Sequence, residues 1–176
     1  MSIIICVVEK DKTFYLASDK RAIKNGIIKD NYKKIYELKR HVYFSMTGIA
    51  EVGLGVLAKI QDKINLPIKD FLIEVDNEVI VNNKTLTVMI SGIDENNKLF
   101  IWQKNNSGDI RIVDLGPDLI SYSISSNDNS DLFEEHLRKC IISGRQIQYC
   151  IADTINYASS IDYTISSGYD LIMFEK

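Results

Sequence analysis

The hydrophobic period changes along this chain, and the order of the changes restricts the folds open to it. Ile3 to Val8 is an unbroken apolar run rich in β-branched residues. That composition suits a strand buried on both faces. Glu9 to Lys12 is a charged turn, and Thr13 to Ser18 is a second strand that ends at Asp19. Lys20 to Lys34 is polar, with Asn25-Gly26 as a turn signal. Two short strands follow, Lys34 to Leu38 and His41 to Met46, joined at Lys39-Arg40. The period then becomes helical, with apolar residues at Val52, Leu54, Val56, Leu57, Ile60 and Ile64. Gly53 and Gly55 fall inside this pattern and weaken its early turns. Pro67 opens a second helix through Phe71, Leu72, Val75 and Val79. Strands resume at Leu86–Ser91, Lys98–Gln103, Ile110–Val113 and Leu119–Ile124. Helices return over Ser130–Ile142 and Arg145–Ala158, broken at Ser143-Gly144, and Asp170–Glu175 closes the chain as a strand. Helices in consecutive pairs do not suit an alternating parallel sheet. They suit an α+β fold of four layers, αββα, in which two mainly antiparallel sheets pack face to face and each carries a helix pair outside.

The length of 176 residues fits one domain spanning positions 1–176. Such a chain buries roughly two thirds of its unfolded surface and needs no disulfide or structural metal to fold. Its only prolines are Pro67 and Pro117, and neither a Gly/Ser linker nor an internal repeat divides it. The net charge of −3 lacks the basic excess of a nucleic-acid binder. The start Met1-Ser-Ile-Ile-Ile-Cys-Val-Val8 has no basic leader or cleavage site, and no apolar run reaches the ~20 residues that span a bilayer. A cytoplasmic protein with no nucleic-acid or membrane partner is expected.

Cys6, Cys140 and Cys150 each sit in an apolar run and form no Cys-x-x-Cys pair, so buried free thiols are expected. His41 and His136 stand in no zinc-ligand spacing, and no metal or cofactor is expected. His41 precedes a strand and His136 lies on an amphipathic helix, which places both at the surface or boundary. Nucleotide-binding glycine loops are absent. Gly53-Leu54-Gly55 reads as helix packing. No Gly-x-Ser-x-Gly elbow supports a serine triad. The basic tract Lys20–Lys34 reads as a solvated loop.

One constellation rises above this background. It comprises Ser2, Asp19-Lys20-Arg21-Ala22, Asn31-Tyr32-Lys33-Lys34-Ile35 and Ser45-Met46-Thr47-Gly48. Through it the chain resembles the proteasome β-subunits, and most of all the small bacterial proteasome-like peptidase that works with an ATP-driven unfoldase. These are N-terminal-nucleophile hydrolases of αββα fold. The likeness spans essentially the whole chain and is strongest over Met1–Val52. The family begins with a threonine before an apolar strand; with the initiator methionine removed, this chain begins with Ser2. The family's Asp and Arg after the second strand match Asp19 and Arg21, and the second lysine of its Lys-Lys-Ile pair matches Lys34. Fourteen residues separate that lysine from the family's glycine, and fourteen separate Lys34 from Gly48. The Ser2-to-Asp19 match needs one extra residue in the Glu9–Lys12 turn.

The chain departs from the family in three places. Ser2 keeps the threonine hydroxyl but loses the methyl group that restricts its rotamer. The family's Gly-Ser-Gly turn is here Ser123-Ile124-Ser125-Ser126-Asn127, with Ser125 matching its serine. The family's late Asp and Ser match Asp162 and Ser166 counted back from the final strand. A second register places Ser160 at the aspartate.

The resemblance implies a threonine/serine-type peptidase. Ser2 is the nucleophile, and its α-amine, with an ordinary pKa of ~7.7–8.0, is the base. Lys34 supplies positive charge, Asp19 holds Lys34, and the Gly48 N–H receives the oxyanion. Arg21, Ser125, Asp162 and Ser166 complete the implied set. Arg21, Lys29 and Met46 are candidates for a substrate pocket. Unfolded polypeptide or peptide is the implied substrate, a homo-oligomeric ring the implied assembly, and an ATP-driven unfoldase the implied partner. With no segment before the first strand, a gating outer-ring role is not expected. Two alternatives stay open: a non-catalytic assembly subunit of the same fold, and an amidase acting on a small amide.

Overall fold

The structure is a computed structural model that describes residues 2–9, 12–80, 85–105, 113–114, 120–126 and 129–176. Met1, Lys10, Asp11, residues 106–112, Pro117, Leu119 and Asn127 lie outside the described residues.

The first hairpin forms where the sequence predicts it, as β1 (Ile3–Glu9) and β2 (Thr13–Asp19). A second hairpin, β3 (Ala22–Lys24) and β4 (Ile27–Lys29), occupies the tract read as a loop. Asn25 and Gly26 turn it, both at positive φ (51° and 77°). Two successive left-handed residues match the twist of the flanking strands, and Asn-Gly adopts them readily. Then follow β5 (Ile35–Lys39), β6 (Val42–Gly48), α1 (Ala50–Ile60), a short 3-10 turn (Gln61–Lys63) and α2 (Ile68–Ile80). The second half runs β7 (Leu86–Ile93), β8 (Leu99–Asn105), β9 (Val113–Asp114), β10 (Ile120–Ser126), α3 (Ser130–Ile142), α4 (Ile147–Ile161) and β11 (Tyr169–Glu175).

The strands make a five-stranded sheet ordered β11-β2-β1-β10-β9 and a four-stranded sheet ordered β5-β6-β7-β8. All their pairings are antiparallel. The two-residue period of β1 makes it central to both layers. Ile3, Ile5 and Val7 join a core with Phe133, Leu137, Ile151 and Ile155 of α3 and α4. Ile4, Cys6 and Val8 join Phe14, Leu16, Tyr43 and Met89 between the sheets. On the other sheet, Val42, Phe44 and Met46 pack against Val56, Ile60, Phe71 and Val75 of α1 and α2. Each large side chain so buried is worth ~1.5–3 kcal/mol. The result is the four-layer αββα order expected from the paired helices.

Gly53 is part of this packing. A Cβ there would lie 2.0 Å from Met46 Sδ, so the missing side chain lets α1 rest against β6. All three cysteines are buried and free. Among the described residues no helix is long and apolar enough to cross a membrane.

Candidate active site

Antiparallel pairing brings distant stretches of sequence to one end of the five-stranded sheet. Ile4 pairs with Ser18 and Ile3 with Ser126, so Ser2 leads into β1 beside the ends of β2 and β10. Tyr169 pairs with Asp19, which adds the start of β11. On the facing sheet, Ile35 pairs with Ser45, so Lys34 enters β5 near the Gly48 end of β6.

Asp19 is the junction. It is fully buried, and each carboxylate oxygen accepts two hydrogen bonds. Lys34 Nζ donates to Oδ1 at 2.6 Å, and the Ile3 N–H donates to the same oxygen at 2.9 Å. The Arg21 N–H donates to Oδ2 at 3.0 Å and the Ser166 N–H at 3.3 Å. Burying a carboxylate is costly unless it is paired and hydrogen-bonded, and Asp19 is both. Lys34 is 3% exposed. Burial pushes its ammonium below the ordinary lysine pKa, the attraction of Asp19 pulls it back up, and the Arg21 charge adds a smaller push downward.

Ser2 is buried and lines a cavity of about 600 Å³ together with Lys34, Met46, Thr47 and Gly48. That volume suits one substrate side chain or a small molecule. Gly48 has φ +104°, and a Cβ there would meet the Thr85 carbonyl oxygen at 2.3 Å. Only glycine fits this close strand end. Beside it, Thr47 Oγ1 and Ser125 Oγ lie 2.9 Å apart and share a hydrogen bond between the two sheets. Ser125 thus reaches the cavity through Thr47, which lines it.

The late residues divide. The Ser166 hydroxyl donates to the Gly168 carbonyl at 2.8 Å and accepts from the Lys20 N–H at 3.1 Å, so Ser166 ties its loop to the Asp19 junction. Asp162 is buried just past α4, and its Oδ1 accepts from the N–H (2.9 Å) and hydroxyl (2.6 Å) of Thr164. Its Oδ2 is buried with no hydrogen-bond partner among the described residues. Ser160 is exposed and donates to the Tyr157 carbonyl, so Asp162 rather than Ser160 is the buried member of that stretch. The Arg21 guanidinium turns to Asp30, with Nε–Oδ1 at 2.6 Å and Nη2–Oδ2 at 3.0 Å, and to the Tyr163 carbonyl. Its main chain meets Asp19, while its side chain fastens the base of the β3–β4 hairpin.

Arg21, Lys29 and Met46, the expected pocket candidates, all line the cavity, but the hairpin that carries Lys29 is what sequence reasoning missed. The tract Lys20–Lys34 is mostly solvent-exposed as expected, but it is a hairpin rather than a loop, and Ala22, Ile23, Ile27, Lys29 and Tyr32 line the cavity. The signal was present in Asn-Gly between two apolar-containing triplets. The roles of the Ile3 N–H and of the Thr47 hydroxyl were missed as well, because a main-chain donor and a cross-sheet hydroxyl contact leave no spacing in sequence.

No protein-family model matches the chain, and no curated protein matches it. Its structure is similar to the crystal structure of eukaryotic HslV from Trypanosoma brucei, with a TM-score of 0.77 and 16% sequence identity over 99% of each chain. The α+β architecture of two antiparallel sheets and four helices is therefore that of the HslV, N-terminal-nucleophile hydrolase fold.

Proposed function

We propose that this chain is a proteasome-like peptidase subunit that hydrolyses peptide bonds with Ser2 as nucleophile. One observation carries this reading. Ser2, Lys34 and Gly48 line one cavity, and the buried Asp19 holds both the Lys34 ammonium and the N–H that follows Ser2.

The chemistry needs a free α-amine on Ser2, so the peptide bond before Ser2 must be cut. The neutral amine then takes the Oγ proton, and Oγ attacks the substrate carbonyl carbon. The Lys34 charge lowers the proton affinity of the Ser2 groups beside it. The Gly48 N–H donates to the developing oxyanion; removing such a donor costs ~2.7–4 kcal/mol in other enzymes. The amine returns its proton to the leaving nitrogen. Water then hydrolyses the acyl-Ser2 ester by the same proton route. Ser125 supports the Gly48 end of β6 through Thr47, and Asp162 and Ser166 hold the loop beside Asp19.

A single domain over 1–176, a homo-oligomeric ring, unfolded polypeptide as substrate, an ATP-driven unfoldase partner and a cytoplasmic location belong to the same proposal. They rest on the resemblance of Ser2, Asp19, Lys34 and Gly48 to the proteasome pattern and on the shared fold. The test is hydrolysis of a panel of fluorogenic peptides and small amides by chain that begins at Ser2. Peptide turnover that is lost in Ser2→Ala and kept in Ser2→Thr is expected. Turnover of small amides alone assigns an amidase instead. Absence of any Ser2-dependent turnover leaves a non-catalytic assembly subunit.

A further inference from the structure

A second group of reactive side chains lies between the helices outside the five-stranded sheet. His136 and Cys140 sit one turn apart on α3, and Asp153 faces them from α4. His136 Nε2 and Cys140 Sγ each stand 3.6 Å from the same oxygen, Asp153 Oδ2. The three donor atoms all fall within 4.8 Å of one another. We propose that His136, Cys140 and Asp153 form a three-ligand site for a zinc-class divalent cation that clasps α3 to α4. Solvent water supplies the fourth position. The site is independent of the peptidase reading.

The geometry and the donor types agree with that ion. Zinc binds imidazole nitrogen, thiolate sulfur and carboxylate oxygen at ~2.0–2.3 Å, so tetrahedral neighbours stand ~3.3–3.7 Å apart. Both separations from Asp153 Oδ2 fall in that range. The imidazole separation is too long for a strong hydrogen bond, while the Cys140 S–H donates to the same carboxylate oxygen and would give up that bond to the metal. His136 Nε2 is shielded from solvent and has no hydrogen-bond partner among the described residues. Its ring is fixed by stacking on Tyr157, with centroids 4.3 Å apart and planes 10° apart. A metal ion gives that nitrogen lone pair a partner without moving the ring.

Arg145 marks the spot as one that attracts a cation. Its Nη1 lies 2.8 Å from Asp153 Oδ2 and 3.8 Å from Cys140 Sγ. The Arg145 side chain is 49% exposed, so it can swing into solvent when a metal enters. Binding exchanges one proton: the Cys140 S–H bond breaks, the Cys140 S–metal bond forms and the proton leaves to solvent. Nothing is oxidised. The sequence hides the site because His-x-x-x-Cys is a weak spacing and the third ligand arrives from another helix.

Cobalt(II) titration of the full chain tests the site, with zinc(II) added afterwards as competitor. A thiolate-to-cobalt charge-transfer band that saturates at one equivalent and is erased by zinc is expected. Zinc should also raise the melting temperature. Cys140→Ser should abolish the band, and Asp153→Asn should weaken binding at least about tenfold. Arg145→Ala replaces no ligand and removes the cation that competes for Asp153, so it should tighten binding about tenfold. Circular dichroism checks that each variant is folded. A band that survives Cys140→Ser, a wild-type chain with no band, or Arg145→Ala binding no tighter than wild type would overturn the proposal.

Discussion

Asp19 and Asp162 are both buried carboxylates, and one loop touches both, yet they are held in different ways. Asp19 gathers donors from four separate stretches: Ile3 at the start of β1, Arg21 beyond β2, Lys34 before β5 and Ser166 before β11. Asp162 takes both of its donors from Thr164, two residues away, and keeps one oxygen unpartnered among the described residues. The first carboxylate is a junction of the tertiary fold. The second organises its own turn. At Asp19, stability and site geometry are therefore one property; at Asp162 they separate.

The largest effect is expected at the junction. Asp19→Ala leaves the Lys34 ammonium buried without a partner and orphans three N–H groups. Breaking a buried pair in this way costs ~3–5 kcal/mol. Urea denaturation should show that loss together with loss of peptide hydrolysis. If Asp162→Ala proves equally costly, the contrast between the two carboxylates fails.

Gly48→Ala comes next. The left-handed backbone alone costs ~1–3 kcal/mol for a residue with a side chain, and the Cβ overlaps the Thr85 carbonyl. A lower denaturation midpoint and diminished turnover are expected. Unchanged values would show that the β6 end relaxes freely and that its position is not set by the β6–β7 approach.

Asp162→Asn should cost less than ~1 kcal/mol, because the side-chain oxygen that accepts from Thr164 is retained and the other oxygen has no bond to lose. A midpoint close to wild type with reduced turnover sharpens the contrast. A loss as large as at Asp19 refutes it.

The smallest effect near neutral pH, growing only above pH 9, is a pH dependence set away from both carboxylates. Cys6 lies between the sheets, and burial pushes its thiol from 9.0 up to about 12. The unfolded chain releases this proton first, so the folded state binds more protons across that window. The Cys6 contribution is intact below pH 9 and is lost as pH rises toward about 12. Denaturation midpoints measured upward from pH 8 should fall less steeply in Cys6→Ala than in wild type. Parallel slopes would contradict the assignment.

The layers were legible in sequence because each element carries its own period. The all-apolar run from Ile3 to Val8 announced a strand between two cores, and Pro67 announced α2. Three-residue strands do not establish a period, so β3 and β4 were hidden in a polar tract. Lys34 and Gly48 were legible as candidates through the family resemblance, because they match its lysine-to-glycine spacing of fourteen residues. Asp162 left two registers open, since the turn between α4 and β11 has no periodic pattern to anchor it. The Thr47–Ser125 contact was illegible, because it joins residues 78 positions apart in different sheets. His136, Cys140 and Asp153 were illegible for the same reason: packing of α3 on α4 brings them together.

The account rests on Ser2 acting with its own α-amine beside the Asp19–Lys34 pair. Intact mass spectrometry of the untagged chain, before and after an excess of a peptide epoxyketone, tests this most directly. That reagent needs the hydroxyl and the free amine of one residue. The account predicts a mass that begins at Ser2 and gains a single stoichiometric adduct, with no adduct in Ser2→Ala or in Lys34→Met. A chain that begins at Ser2 and takes no adduct would contradict it.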